Sequence, residues 1–429
     1  MILAVLLFSA LFVLILLGVP IAFSLGGAVL IGLLVQQNAA QYVILSQRIF
    51  TALDGFTLMA IPFFVLSGNL MSNGGISRRL VVFFKMLLRR VPAASACITT
   101  VASAFFGAIS GSSPATVAAI GGIMVPGMVE NGYSKEDASA IAASSGSLGI
   151  VIPPSIPMVT FAVTANCSVS AMFMGGILPG ILMAASMCVV HLCLHKHTER
   201  PEKGKLSLRE TGSNFVDALW ALGMPVIILG GIYGGVFTPT EAGCVACVYS
   251  LFVALFIYRD LALKDVPKIF MESALSTAAI LFIVALASPF AWLMTSAGIP
   301  KIIAGYILNL DSKVLILIAM NIFLLFLGCF METQSIILLV TPILLPIAQA
   351  YGIHTVALGI IIVVNTALGM ITPPMAPNLY IGNRIAGTND IGGTSLKMLP
   401  YLAVCSGVLL LITYVPDLIL LLPRALGIM

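Results

Sequence analysis

Small polar side chains gather at four places in an otherwise apolar chain. Two of these places precede a double proline: SSGSLGIVIPPSIP at 144–157 and NTALGMITPPMAP at 365–377. The other two read ISGSSPAT at 109–116 and METQS at 331–335. Hydroxyls, amides and exposed carbonyls are neutral, hard oxygen ligands, suited to a weakly held Na+ that must also leave again. Pro-Pro removes backbone donors and prevents a regular helix. In lipid each freed carbonyl costs several kcal/mol, so broken backbone is tolerated only where it lines a cavity or coordinates something. Helix N-termini at the two tips suit an anionic group. Glu332, in the second tip, is the one acidic residue deep in an apolar stretch apart from Glu241 and Glu272. A carboxylate at that depth is a functional candidate. Glu241 follows FTPT, where helix capping accounts for it, and Glu272 reads as interfacial.

The elements that must position these groups are membrane helices. The chain has 429 residues, 60% apolar and 8% charged, with a mean hydropathy of +1.13. Apolar segments long enough to cross a hydrocarbon core recur throughout. Crossings are expected near 2–17, 20–36, 50–72, 140–165, 171–194, 215–236, 239–258, 269–291, 355–380 and 399–422. The stretches 95–130 and 314–350 read as hairpins that enter and leave on one side. No Lys or Arg precedes Arg48, so residues 1–17 lack the basic start of a secretory signal and read as a retained first helix. ISRRLVVFFKMLLRR at 76–90 reads as an interfacial helix, with a counterpart at 299–310.

The two double-proline cassettes share Leu-Gly-x-x-x-Pro-Pro-x-x-Pro at an offset of 220 residues, and Ile123, Pro126, Gly132 and Ile141 match Ile343, Pro346, Gly352 and Ile361 at the same offset. The fold expected is an all-α polytopic membrane protein of two structural halves, 1–194 and 215–429, joined by a polar cytoplasmic linker at 195–214. With the N-terminus outside, 16 of the 20 basic residues fall on the cytoplasmic side; Arg48, Lys301, Lys313 and Arg424 are the exceptions. This fits the positive-inside rule. Five crossings per half make the second half an inverted copy of the first, with a hairpin about 95–130 and a broken helix about 140–165 matched by 314–350 and 355–380. Ten crossings return the C-terminus to the outer side.

Other chemistries fit less well. GSSP at 111–114 has a serine-protease-like form, but the four His residues, 191, 195, 197 and 354, lie near helix ends rather than at mid-membrane depth, and such a site needs a histidine base. No Walker A motif is present, so the chain does not itself hydrolyse ATP. Cys244 and Cys247 form an isolated CxxC in an apolar helix, which reads as helix packing. The charge distribution implies no nucleic-acid partner.

GAISGSSPATVAAIGGIMVPGM, YSKEDASAIAASSGSLGIVIPPSIPMV and GMITPPMAPNLY resemble the large, DctM-like membrane subunit of TRAP (tripartite ATP-independent periplasmic) transporters, over essentially the whole chain, with the sialic-acid members nearest. The resemblance implies a bacterial inner-membrane protein working by a Na+-coupled elevator mechanism. It implies two partners, a small four-helix membrane subunit and a soluble periplasmic substrate-binding protein. The substrate it implies is an organic anion: a C4-dicarboxylate, sialic acid or another sugar acid. It places a first Na+ site at Ser110, Ser112, Ser113, Ser145, Ser147 and Gly149. A second falls at Glu332, Thr333, Asn365, Thr366 and Gly369. Substrate is expected near Ser112, Ser155, Thr164, Ser168 and Asn378. Na+ is the coupling ion and no organic cofactor is expected. A stand-alone Na+/anion symporter of similar hairpin architecture is the alternative.

Overall fold

The computed structural model describes residues 2–36, 39–199, 208–299, 305, 312–373 and 376–429. All regular structure among them is helical. Among the described residues, eight helices are at least 18 residues long and apolar enough to cross a membrane, and the pair Lys135–Val151 and Ile156–Thr164, bent by 40° at its break, makes a ninth if it is counted as one span. Side chains such as Val226, Leu275, Ile322 and Phe326, each more than half exposed, are too apolar and too numerous for a water-facing surface. They face lipid.

The helix ends follow local capping chemistry. Ser134 accepts from the Asp137 N–H at 3.0 Å and starts the first broken helix. Thr238 and Glu241 form a complete capping box at the start of Pro239–Phe252, which is the expected role of Glu241. Asp390 accepts from the Gly393 N–H at 2.8 Å, so the last long helix is Ile391–Tyr414 rather than 399–422. It stops before Val415-Pro416 because the residue ahead of a proline is pushed out of the helical region. A short helix, Asp417–Ala425, follows, with Arg424 paired to Asp417 at 2.7 Å.

The expected crossing 50–72 is instead two elements. Ala39–Leu53 is a helix of its own, and the chain breaks at Asp54-Gly55 before the turn Phe56–Met59 leads into Ala60–Asn73. Gln41, Ser46, Gln47 and Arg48 interrupt its apolar run, which hides this helix from a search for crossings. The expected 269–291 crossing is longer, Val266–Ser296. The helix expected at the interface is Ile76–Leu88, with Ile76, Leu80 and Phe84 buried, and Arg79 paired with Asp260 beneath the Tyr258 ring. Its expected counterpart at 299–310 lies outside the described residues apart from Ile299 and Gly305, as do Arg200 to Ser207 of the linker and Pro374 of the second cassette.

Both expected hairpins are pairs of helical arms. The first is Ala94–Ser110 followed by 113–130, with a wider π turn at Val117–Gly121. The second is Lys313–Phe330 followed by Thr333–Ala350. The second broken helix is Thr355–Gly369 followed by Pro377–Ala386. Every residue from Val356 to Gly369 is buried, enclosed by Val169–Leu194, Lys313–Phe330 and Ile391–Tyr414. Outside this bundle, Ala39–Leu53 and Ala60–Asn73 pack on Val266–Ser296, and Ala60–Asn73 also packs on Pro239–Phe252.

Candidate functional site

The first hairpin turns at Gly111, whose φ of +59° favours glycine. Ser112 follows in extended conformation and precedes the short helix Ser113–Thr116. The Ser112 carbonyl accepts from the Thr116 N–H at 3.1 Å and from the Thr116 hydroxyl at 2.7 Å. Ser110 Oγ lies 3.2 Å from Thr116 Oγ1. The tip is therefore a compact knot of hydroxyls and one carbonyl. The Asn378 side-chain amide, near the start of Pro377–Ala386, donates to Ser113 Oγ at 2.6 Å and to the Ala143 carbonyl at 3.3 Å.

Each hairpin touches its broken helix through paired glycines. A Cβ on Gly107 would fall 2.7 Å from the Gly149 Cα, and a Cβ on Gly328 would fall 2.8 Å from the Gly369 Cα. Real Cβ atoms do not approach backbone so closely, so glycine is required on these faces. On its other side, a Cβ on Gly149 would meet Thr116 Oγ1 at 2.4 Å and the Ser112 carbonyl oxygen at 2.6 Å. Of the expected first-site residues, Ser110, Ser112 and Gly149 meet here. Ser113 joins through Asn378. Ser147 donates to the Ser144 carbonyl at 2.7 Å.

Ser145 points another way, to Thr100 Oγ1 at 2.8 Å. Thr100 also meets His191 Nε2 at 2.7 Å, and His191 Nδ1 meets the Tyr401 hydroxyl at 3.0 Å. Tyr401 reaches His195 Nε2 at 3.5 Å. This buried chain ties the first hairpin and broken helix to two long helices. Burial lowers the His195 pKa below its ordinary value, and the Asp137 carboxylate acts in the opposite sense.

At the second tip Glu332 precedes Thr333–Ala350 without a side-chain capping bond. Thr333 Oγ1 lies 3.5 Å from Met370 Sδ. Thr366 donates to the Val363 carbonyl at 3.0 Å. The Asn365 amide donates to Asn321 Oδ1 at 2.7 Å. Four buried oxygens on these elements have no partner among the described residues: Gln334 Oε1, Ser335 Oγ, Asn365 Oδ1 and Asn378 Oδ1. Leaving one such group unsatisfied costs about 1–3 kcal/mol. Groups of this kind fit a cation ligand set of neutral oxygens.

The two tips share a cavity of about 520 Å3, lined by Ser110, Ser112 and Glu332 together with Asn69, Ser72 and Ser276. Glu332 is exposed and is the only charged residue lining it among the described residues. Of the expected substrate residues, Ser112 alone faces this cavity. Thr164 lines a second cavity. Ser155 donates to the Ile150 carbonyl at 2.6 Å across the break, and Ser168 caps Val169–Leu194, accepting from the Ala171 N–H at 3.2 Å. Asn69 and Ser72 stand in the polar stretch SGNLMSN at 67–73, and Ser276 stands beside Glu272, Ser273 and Thr277; neither stretch contains a helix break, so neither is among the expected site residues. Thr116, Gln334 and Ser335 are visible in the tip sequences themselves.

Paired hairpins and broken helices that bring neutral oxygens together inside a multi-pass membrane protein define a transporter rather than an enzyme. The chain belongs to the DctM component family of the tripartite ATP-independent periplasmic transporters, whose family model matches residues 8–418. It is 43% identical over 384 residues, 89% of this chain and 90% of the relative, to the C4-dicarboxylate TRAP transporter large permease protein DctM of Pseudomonas aeruginosa. It is 34% identical over 408 residues, 95% of each chain, to the sialic acid TRAP transporter large permease protein SiaM of Vibrio cholerae. The crystal structure of the YdaH transporter of Alcanivorax borkumensis shares the fold, with a TM-score of 0.60 at 14% identity over 88% of this chain and 89% of that one.

Proposed function

We propose that this chain is the transport subunit for Na+-coupled uptake of an organic anion, delivered by a soluble periplasmic binding protein and carried by an elevator motion. The observation that carries this reading is the set of unpaired buried oxygens at the second hairpin and second broken helix, Gln334, Ser335 and Asn365, with Asn378 Oδ1 beside the first tip. Neutral ligands of this kind suit Na+, and Glu332 offsets the charge of a bound ion. The substrate class follows the names of relatives, which transport C4-dicarboxylates or sialic acid. Both are carboxylates, and bound Na+ beside Ser112 supplies the positive charge an anion needs there.

The halves 1–194 and 215–429 are read as inverted copies joined by the 195–214 linker. The paired contacts Gly107–Gly149 and Gly328–Gly369 support this. Both termini are placed on the periplasmic side of the inner membrane by the distribution of basic residues. The hairpins and broken helices form the moving body; Ala60–Asn73, Pro239–Phe252 and Val266–Ser296 form the support it slides on. Ser72 and Ser276 lie toward the basic, cytoplasmic ends of their helices, so the shared cavity faces inward.

Among the described residues the shared cavity offers no cationic side chain of its own, so capture of dilute anion belongs to another component. Proteoliposomes holding this chain and the small four-helix subunit are expected to take up negligible free substrate until the binding protein is added. Robust uptake without it contradicts the tripartite reading and favours a stand-alone symporter.

A further inference from the structure

We infer that a second cavity, between Ala39–Leu53 and the outer half of Val266–Ser296, is a receiving subsite for a carboxylate anion, with Arg48 as its counter-charge. The direction of travel assigned to it rests on the transport reading above. The cavity measures about 520 Å3 and is lined by Arg48, Thr51, Thr164, Trp292, Thr295 and Thr341 among others. That is within the range of small-molecule sites.

Its position makes it a compartment of the same path. Ser276, Ala279 and Ile283 of the long helix line the inner cavity, and Val284, Ala287, Ala291 and Thr295 line this one. Residues three and four apart share a helix face. One face of one helix therefore runs past both cavities, and Thr164, at the end of the first broken helix, enters the outer one.

Charge and hydrogen-bonding capacity then name the ligand. Among the described residues Arg48 is the only charged one lining this cavity, as Glu332 is of the inner one. Arg48 is exposed and has no acidic side chain within ion-pair distance among the described residues. Four of the five hydroxyls that line it are already committed as donors; Ser288 and Trp292 also line it, with no hydrogen bond to commit their donors among the described residues. Thr51 donates to the Gln47 carbonyl at 2.9 Å, Thr164 to Thr160 at 2.8 Å, Thr295 to Ala291 at 2.7 Å and Thr341 to Ile337 at 2.6 Å. They offer lone pairs, which suit the hydroxyls or water shell of a substrate and not its carboxylate. Among the described lining residues the guanidinium is the cationic partner for a carboxylate, and its planar fork fits one with two hydrogen bonds.

The test uses charged thiol reagents in the assembled complex, read residue by residue by mass spectrometry. Ala291→Cys places a thiol in the outer cavity and Ser276→Cys one in the inner cavity. A sulfonate-bearing reagent is expected to react with the outer thiol faster, relative to a trimethylammonium reagent, when Arg48 is present. Arg48→Gln is expected to reduce that ratio about fivefold or more and to leave the ratio at the inner thiol unchanged. Succinate, used as the carboxylate probe, is expected to slow labelling of the outer thiol with Arg48 and not with Arg48→Gln. A ratio at the outer thiol that ignores Arg48, an inner ratio that falls equally, or succinate protection that is absent or equal in both proteins overturns the proposal. None of these readouts depends on Na+ or on uptake, so the subsite and the coupling reading fail separately.

Discussion

Gly149→Ala is expected to reduce transport by at least about 100-fold, the loss that follows when groups around a reactive or binding centre shift by about 1 Å. The added methyl would lie 2.6 Å from the Ser112 carbonyl oxygen and 3.1 Å from its carbonyl carbon. Ser112 cannot retreat freely, because its carbonyl is held by both the N–H and the hydroxyl of Thr116. Nor can the broken helix back away, since Gly107 presses on its opposite side at Gly149 Cα. The tip must shift, and with it Ser110 and Ser112. Overpacking of this kind typically costs about 1–3 kcal/mol, so folded protein is expected in the membrane with a lowered melting temperature. Gly369→Ala is expected to act alike, its methyl falling 2.4 Å from Gly328 Cα. Gly122→Ala is the control: nothing lies within 4 Å of that Cβ, and uptake should match the wild type. Uptake by Gly149→Ala above half of the wild-type rate means that the tip and broken helix do not act through this contact.

Glu332→Gln is expected to reduce transport about tenfold, equivalent to about 1.4 kcal/mol, and to weaken the dependence on Na+. Glu332 is the full charge in a cavity otherwise lined by hydroxyls, an amide and apolar groups, and its counterpart in the first tip is Ser112. Glutamine keeps the shape and the acceptor oxygen but removes the charge that offsets a bound cation. Ser112→Ala removes one of several neutral ligands, and its effect is expected to be smaller. The measurement is uptake against Na+ concentration for each variant in proteoliposomes. Wild-type uptake with an unchanged Na+ half-saturation in Glu332→Gln places the carboxylate outside the ion site.

The features that define the fold are legible because their chemistry is local. Double prolines announce broken helices, and Gly111 and the polar tips announce hairpins. The FTPTE sequence announces the capping box that Thr238 and Glu241 form. What is not legible depends on contacts between distant segments. Asn378 is expected with the substrate, yet it spans 265 residues to hold Ser113. Ser145 is expected in the first ion site, yet its hydroxyl turns to Thr100 and the His191–Tyr401 chain. Asn69 and Ser276 come from polar stretches, SGNLMSN and ESALST, that carry no helix break to mark them as part of the site. Ala39–Leu53 escapes because a helix carrying Gln41, Gln47 and Arg48 matches no crossing pattern. The resemblance to the family locates the site's elements, and packing decides which side chains meet there.

Coupling is the central claim, and uptake by proteoliposomes containing this chain, its small subunit and the loaded binding protein tests it most directly. An inward Na+ gradient is expected to drive accumulation, and a proton gradient alone in Na+-free buffer is expected to drive none. Accumulation that persists unchanged without Na+ contradicts the account.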